Sequence, residues 1–231
     1  MTEAELKQAE KDAESDAEWL ALLLLLYFRK KDRQGVEIVT FDSAKGRFYY
    51  NGKSVSVTQI RKYLNRIETR YAKRLDRITQ QLMNDEITVA EWKREFDRSI
   101  SSMHILAGAL ALGGIAVSAR NAAVQAAIAS EMAFGDEFAK AVRKNKAGTV
   151  AQVRSRARSY VRSILMTYAN TELEARRLMG TQTEARRIRR AAESCKGCIE
   201  WARRGWVPIG IMPRLGSLQC RIYCRCYIEY R

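Results

Sequence analysis

All five cysteines of this 231-residue chain fall between positions 195 and 226. They are Cys195, Cys198, Cys220, Cys224 and Cys226, in the pattern C-x2-C-x21-C-x3-C-x-C. A C-x2-C pair brings two thiolates within reach of one tetrahedral metal ion, and a second cluster some twenty residues on closes the site. The spacing predicts a structural zinc site using four of the five sulfurs. Cys195 and Cys198 come first, then Cys220 and Cys224, with Cys226 as substitute or neighbour. A catalytic zinc would want a water position beside histidine or carboxylate ligands, and the only histidine, His104, lies far away in the sequence. The other chemistry of C-x-x-C is thiol redox, but that motif works at a helix start within a βαβ pattern, which this chain lacks. With one histidine, triads and dyads built on that residue have no material. There is also no P-loop, no G-x-G-x-x-G after a strand and no H-E-x-x-H. The chain reads as a non-enzyme.

The second chemical feature is charge. The formal net charge is +15. Residues 143–190 hold 13 Lys/Arg against three Glu, a net +10. Such a surface suits a polyanion, most simply double-stranded DNA bound without sequence preference. The side chains expected to meet phosphate are Arg154, Arg156, Arg158, Arg162, Arg176, Arg177, Arg186, Arg187, Arg189 and Arg190. The N-terminus has the opposite balance, with seven acids and two lysines in residues 1–18. It then runs into the apolar stretch Trp19–Phe28. Ten residues are too few to span a bilayer. Five consecutive leucines put apolar surface on every side of a helix, so Trp19, Leu22, Leu23, Leu26 and Phe28 are expected to dock on a partner. The absence of a basic secretory leader and the odd cysteine count fit a reducing cytoplasm.

The elements that must position these groups are mainly helical. Both prolines lie in the cysteine region, which leaves long helices free to form elsewhere. Residues 3–31 read as one helix. A small hairpin occupies about 36–52, with Val36–Phe41 and Arg47–Tyr50 as its strands. Ser56-x-x-Gln59 is a capping box. Behind it Ile60, Tyr63, Leu64, Ile67, Tyr71, Leu75, Ile78 and Leu82 recur at helical spacing as far as about Met83. Thr88-x-x-Glu91 caps the next helix, whose apolar face is Val89, Trp92, Phe96 and Ile100. Met103–Ala119 approaches membrane length but is rich in small residues and is interrupted at Gly113-Gly114, which predicts a tight core hairpin. Thr149-x-x-Gln152 opens another long helix ending at Gly180. Thr181-x-x-Glu184 is read as the cap of a short basic helix, and Arg221–Arg231 as a strand. The division is 1–34 docking helix, 35–57 hairpin, 58–190 helical domain and 191–231 cysteine-rich tail.

The tail runs Cys195-Lys-Gly-Cys198, then Trp206-Val-Pro208-Ile-Gly210-Ile-Met-Pro213-Arg-Leu-Gly216, then Cys220, Cys224-Arg225-Cys226 and Tyr230-Arg231. This resembles the C-terminal motif of tailed-phage head-morphogenesis proteins, the Mu F-like or minor head family. That motif has a C-x-x-C pair, a Pro/Gly loop and a terminal Cys-Arg-Cys. Many members place His-Pro before the Cys-Arg-Cys, where this chain has Cys220. The stretch from Arg47 to Ser56 and Glu86-Ile-Thr-Val-Ala-Glu-Trp92 are similar to segments of the same proteins. The resemblance implies a portal-associated structural protein, in several copies of a symmetric assembly with portal, major capsid or scaffold proteins. It would be found in the virion head, and in host cytoplasm during assembly. The other readings are a zinc-containing nucleic-acid-binding regulator and an enzyme, a nuclease or toxin, carrying this tail.

Overall fold

The structure is a computed structural model that describes residues 2–5, 7–9, 11–13, 15, 39–42, 47–50, 53–144, 146–180, 182–190 and 193–231. The docking stretch Trp19, Leu22, Leu23, Leu26 and Phe28 lies outside them. The described residues from 3 to 15 are helical (α1). Strands β1 (Val39–Asp42), β2 (Arg47–Tyr50) and β3 (Lys53–Ser54) form a three-stranded antiparallel meander. Its first pairing runs from Val39 opposite Tyr50 to Asp42 opposite Arg47.

The body is a helical bundle around two long rods, α2 (Val57–Met83) and α3 (Val89–Leu112). Both begin at capping boxes: Ser56 with Gln59, and Thr88 with Glu91. Each box satisfies two backbone N–H groups that the first helical turn leaves unpaired. All eight apolar residues read as the α2 stripe are buried. Helix α3 has no wet side in its middle, where Ser99 to Gly108 are buried all round. Its serines therefore bond back to backbone: Ser99 Oγ donates to Glu95 O at 2.6 Å, and Ser102 Oγ to Arg98 O at 2.9 Å. Trp92 is fully buried and donates from Nε1 to Thr79 Oγ1 at 3.1 Å, while that hydroxyl donates to Leu75 O at 2.6 Å. Trp92, Phe96, Phe138 and Tyr160 form one aromatic cluster, with ring centres 5.0 Å apart for Trp92–Phe96 and for Phe96–Tyr160.

The small-residue run folds as the expected hairpin. Helix α3 ends at Gly113 with φ 81, a left-handed conformation that glycine adopts without cost. Helix α4 (Ile115–Ala119) then turns back, and Ser118 Oγ donates to Ile105 O at 2.7 Å. No helix among the described residues is long and apolar enough to cross a membrane. Helix α5 (Ala122–Arg143) covers α3. Next come α6 (Val150–Ser159), a 3-10 turn (Tyr160–Ser163) and α7 (Ile164–Met179). Arg154 ties α6 to α2 through both oxygens of Asp76, at 2.9 and 2.6 Å. At the front, Ala9 and Ala13 are buried and Asp12 takes both ends of the Arg98 fork, so α1 docks on α3.

After Gly180 the structure departs from the sequence reading. Residues expected as a short basic helix form strand β4 (Glu184–Ile188). It is the central strand of an antiparallel sheet in the order β5-β4-β6, with β5 (Val207–Pro208) and β6 (Tyr227–Tyr230). Helix α8 (Lys196–Arg203) lies against β4. The expected strand over Arg221–Arg231 is shorter: Arg221–Tyr223 is a 3-10 turn, and pairing starts at Tyr227. The chain is mainly helical as expected, with a small antiparallel sheet and a C-terminal cysteine cluster, but the tail expected to be irregular carries a second three-stranded sheet.

Candidate metal centre

The cysteines arrive from two directions. Cys195 is the N-cap of α8, and its sulfur accepts from the Cys198 backbone N–H at 3.4 Å. The cap places Cys198 one turn in, pointing at the sheet, where it is 1% exposed. The 3-10 turn delivers Cys220 and Cys224 from the other side. Cys198 Sγ lies 3.5 Å from Cys220 Sγ and 3.9 Å from Cys224 Sγ. Two groups of three sulfurs, Cys195/Cys198/Cys220 and Cys198/Cys224/Cys226, each lie within 4.8 Å of one another. All five sulfurs thus gather around Cys198, Cys226 included. None forms a disulfide. Four sulfurs about 2.3 Å from a tetrahedral ion sit about 3.8 Å apart, and the separations of 3.5 and 3.9 Å straddle that value. No histidine or carboxylate joins either group among the described residues. A thiolate-only donor set suits zinc, copper(I) or iron–sulfur ligation.

The five thiols share protons unevenly. The hydrogen bond from Cys226 is the main cause that draws Cys224 down to about 4, and the same bond pushes the Cys226 thiol up. Burial raises Cys198 and Cys220.

One residue beside the sulfurs was misassigned from sequence. Arg187, expected at a DNA surface, is 1% exposed. Strand β4 alternates, and Ala185 and Arg187 face inward. Arg187 Nη1 donates to Cys198 Sγ at 3.4 Å, and Nη2 to the carbonyls of Pro213 at 2.6 Å and Arg214 at 3.3 Å. Its Nε is buried with no partner. A buried cation needs a counter-charge, and no acid among the described residues pairs with it. The sulfurs are the available anion. A metal-bound cluster of four thiolates carries two net negative charges, so the residues present fit such a centre.

Sequence reasoning also missed the residues that hold the Pro/Gly loop. Asn170 on α7 donates from Nδ2 to Leu215 O at 3.0 Å and accepts from the Leu215 N–H at 2.7 Å. Arg177, also expected at a DNA surface, donates to Ile209 O at 3.1 Å and Met212 O at 2.6 Å. Gly216 has φ +83, and a Cβ there would lie 2.5 Å from Met166 Sδ, so only glycine lets the loop close on α7. These partners stand dozens of residues apart in the chain, and no local pattern marks them.

The remaining arginines divide by exposure. Arg176 is buried, donates to Glu172 at 2.7 Å, and also binds Gln182. Arg176 and Arg187 therefore use their guanidinium groups inside the protein, and the half-buried Arg177 spends its own on loop carbonyls, a correction to the phosphate-contact set. Arg154 is held by Asp76, and Arg186 pairs with Glu229 at 2.6 Å. Arg156, Arg158, Arg162, Arg189 and Arg190 are exposed.

No family model, curated protein or solved structure matches the chain. His104, the other group of interest, is fully buried. Thr167 Oγ1 donates to Ser163 O and so accepts from His104 Nδ1 at 2.7 Å, leaving Nε2 buried without a partner. Burial lowers its pKa to about 4. It is a neutral core residue.

Proposed function

We propose that this chain is a structural, non-enzymatic protein of a tailed-phage head, portal-associated and present in several copies of a symmetric assembly, with one structural zinc in its tail. The observation that carries the reading is the tail itself: a C-x2-C pair, a Pro/Gly loop anchored on α7, and a Cys-Arg-Cys, all converging on one sulfur cluster. Zinc suits a closed, thiolate-only site with no ligand position reserved for substrate. The tail has a small apolar cluster of its own, including Val207, Ile209, Met212, Leu215 and Ile228 packed with Leu173 of α7, and the metal adds a cross-link between its two cysteine-bearing segments. The ligands are four of Cys195, Cys198, Cys220, Cys224 and Cys226. The helical body presents its exposed arginines to packaged double-stranded DNA, binding phosphate without reading sequence. Portal, major capsid or scaffold proteins are the protein partners, and the docking element is the Trp19–Phe28 stretch.

Two measurements test this. Metal analysis of the purified chain should give about one zinc per chain, and chelation should speed hydrogen exchange in 193–231 while leaving α2 and α3 protected. Co-expression with the portal protein of the same genome should give a co-migrating complex, and the chain should be found in purified heads. A purified chain that carries no zinc and takes up none when it is supplied refutes the zinc centre. A chain absent from heads and not bound by the portal refutes the assembly role.

A further inference from the structure

Two aromatic rings in the tail region each draw a pair of guanidinium groups, and the pairs differ in one respect. At Trp206 the groups are Arg186, 4.7 Å from the ring centre, and Arg231 at 4.6 Å. Each has its own carboxylate, Glu229 at 2.6 Å and Glu184 at 2.7 Å. At Tyr227 the groups are Arg61 of α2, 4.0 Å from the ring centre, and Arg190, just past β4, at 5.3 Å. Among the described residues neither forms an ion pair or donates a hydrogen bond. Glu172, whose charge reaches Arg61, is itself held by Arg176 at 3.2 and 2.7 Å. Arg61 is half-buried, and first burial, then the charge of Arg190, lower its proton affinity. Two like charges converging on one ring, one of them partly desolvated, are held at a cost that a bound anion relieves. Their N–H edges remain unused, and the guanidinium fork matches phosphate oxygens.

We propose that Arg61 and Arg190, seated on Tyr227, form a phosphate clamp at the seam between α2 and the cysteine-rich tail, and that its ligand is the backbone of duplex DNA. The identity of the ligand rests on the DNA reading above; the clamp rests on the unpaired charges. Free polyphosphate shares the chemistry, so pyrophosphate is the second probe.

The test uses the full chain, a fluorescent random-sequence duplex followed by anisotropy, and pyrophosphate followed by calorimetry. The double variant Arg61→Gln/Arg190→Gln should bind duplex at least tenfold more weakly than wild type. Its log–log salt slope should be shallower by about two, near 0.9 per phosphate released. Arg204→Gln, whose side chain is already paired with Glu200 at 2.7 Å, should bind within twofold of wild type. If the double variant loses helicity, Arg190→Gln alone carries the comparison, because that side chain is exposed. Wild-type protein that binds duplex no better than a folded clamp variant overturns the clamp and leaves the general DNA reading standing. Wild type that binds pyrophosphate through Arg61 and Arg190 but ignores duplex upholds the clamp and removes DNA as its ligand. Wild type that binds neither probe overturns the clamp.

Discussion

Replacing Arg187 by methionine removes the cation beside Cys198 while keeping an apolar stem of similar bulk. Three contacts go: the one to Cys198 Sγ and those to the carbonyls of Pro213 and Arg214. Each orphaned buried acceptor costs about 1–3 kcal/mol. Against this, the variant no longer buries a guanidinium with an unpartnered Nε, and that relief is worth several kcal/mol. The two terms are of similar size, so the tail should still fold. Metal affinity has no such offset, because the thiolates lose the buried cation that lies against Cys198 Sγ. Groups that support metal ligands typically account for 10–100-fold in affinity, about 1.4–2.7 kcal/mol. Arg187→Met is therefore expected to bind zinc 10–100-fold more weakly in chelator competition, with native circular dichroism. Arg187→Lys should recover little, since a single ammonium cannot reach two carbonyls and a sulfur at once. Cobalt substitution gives a second readout through its thiolate charge-transfer band. An Arg187→Met protein that holds cobalt and zinc as tightly as wild type, while Cys198→Ala loses both, would refute the argument.

Two buried titrating groups should oppose one another. His104 is held down to about 4, so the unfolded chain binds the extra proton between pH 4 and 6.5, and stability rises with pH there. Burial lifts Glu131 to about 7, so the folded chain holds the extra proton between pH 4.5 and 7, and stability falls as pH rises. Urea melts of wild type should vary little from pH 4.5 to 6.5 on account of this pair. Glu131→Gln should gain stability across that window, and His104→Gln should lose it; equal slopes in all three proteins would sink the assignment. Asn170→Ala should cost about 2 kcal/mol for its two backbone bonds, read as faster exchange confined to 209–216. Gly135→Ala should destabilise the bundle, because the new methyl would sit 2.6 Å from Phe96 Cε1. Overpacking of about 1–3 kcal/mol exceeds the roughly 1 kcal/mol gained in helix propensity, and a raised melting temperature would contradict this.

What could be read from sequence was whatever is local. The capping boxes at Ser56, Thr88 and Thr149 all form, because each needs only residues three apart. The α2 stripe is buried as its spacing requires. The sulfur cluster also follows from spacing, since the C-x2-C pair sits on one helical turn. The failures come from distance. Glu184–Ile188 has a helical composition and no strand signal, yet it pairs with strands near residues 207 and 228. Tertiary pairing overrides local preference there. Charge was misleading for a related reason. A run of arginines looks like one surface, but alternation along β4 turns Arg187 inward while Arg186 faces Glu229. Asn170 and Arg177 carry no signature because the backbone they hold belongs to a later loop.

The anchoring of that loop has a thermodynamic consequence. The two cysteine hooks are separated by the 21 residues between Cys198 and Cys220, and closing a free segment of that length costs about 3 kcal/mol of chain entropy. Asn170, Arg177 and the seat of Gly216 on Met166 tie the middle of the segment to α7 without using any sulfur. Helix α7 therefore acts as a template on which the hooks already face each other. The closure entropy is charged to bundle folding rather than to metal capture, so the ion's grip on the tail depends on a helix that contributes no ligand.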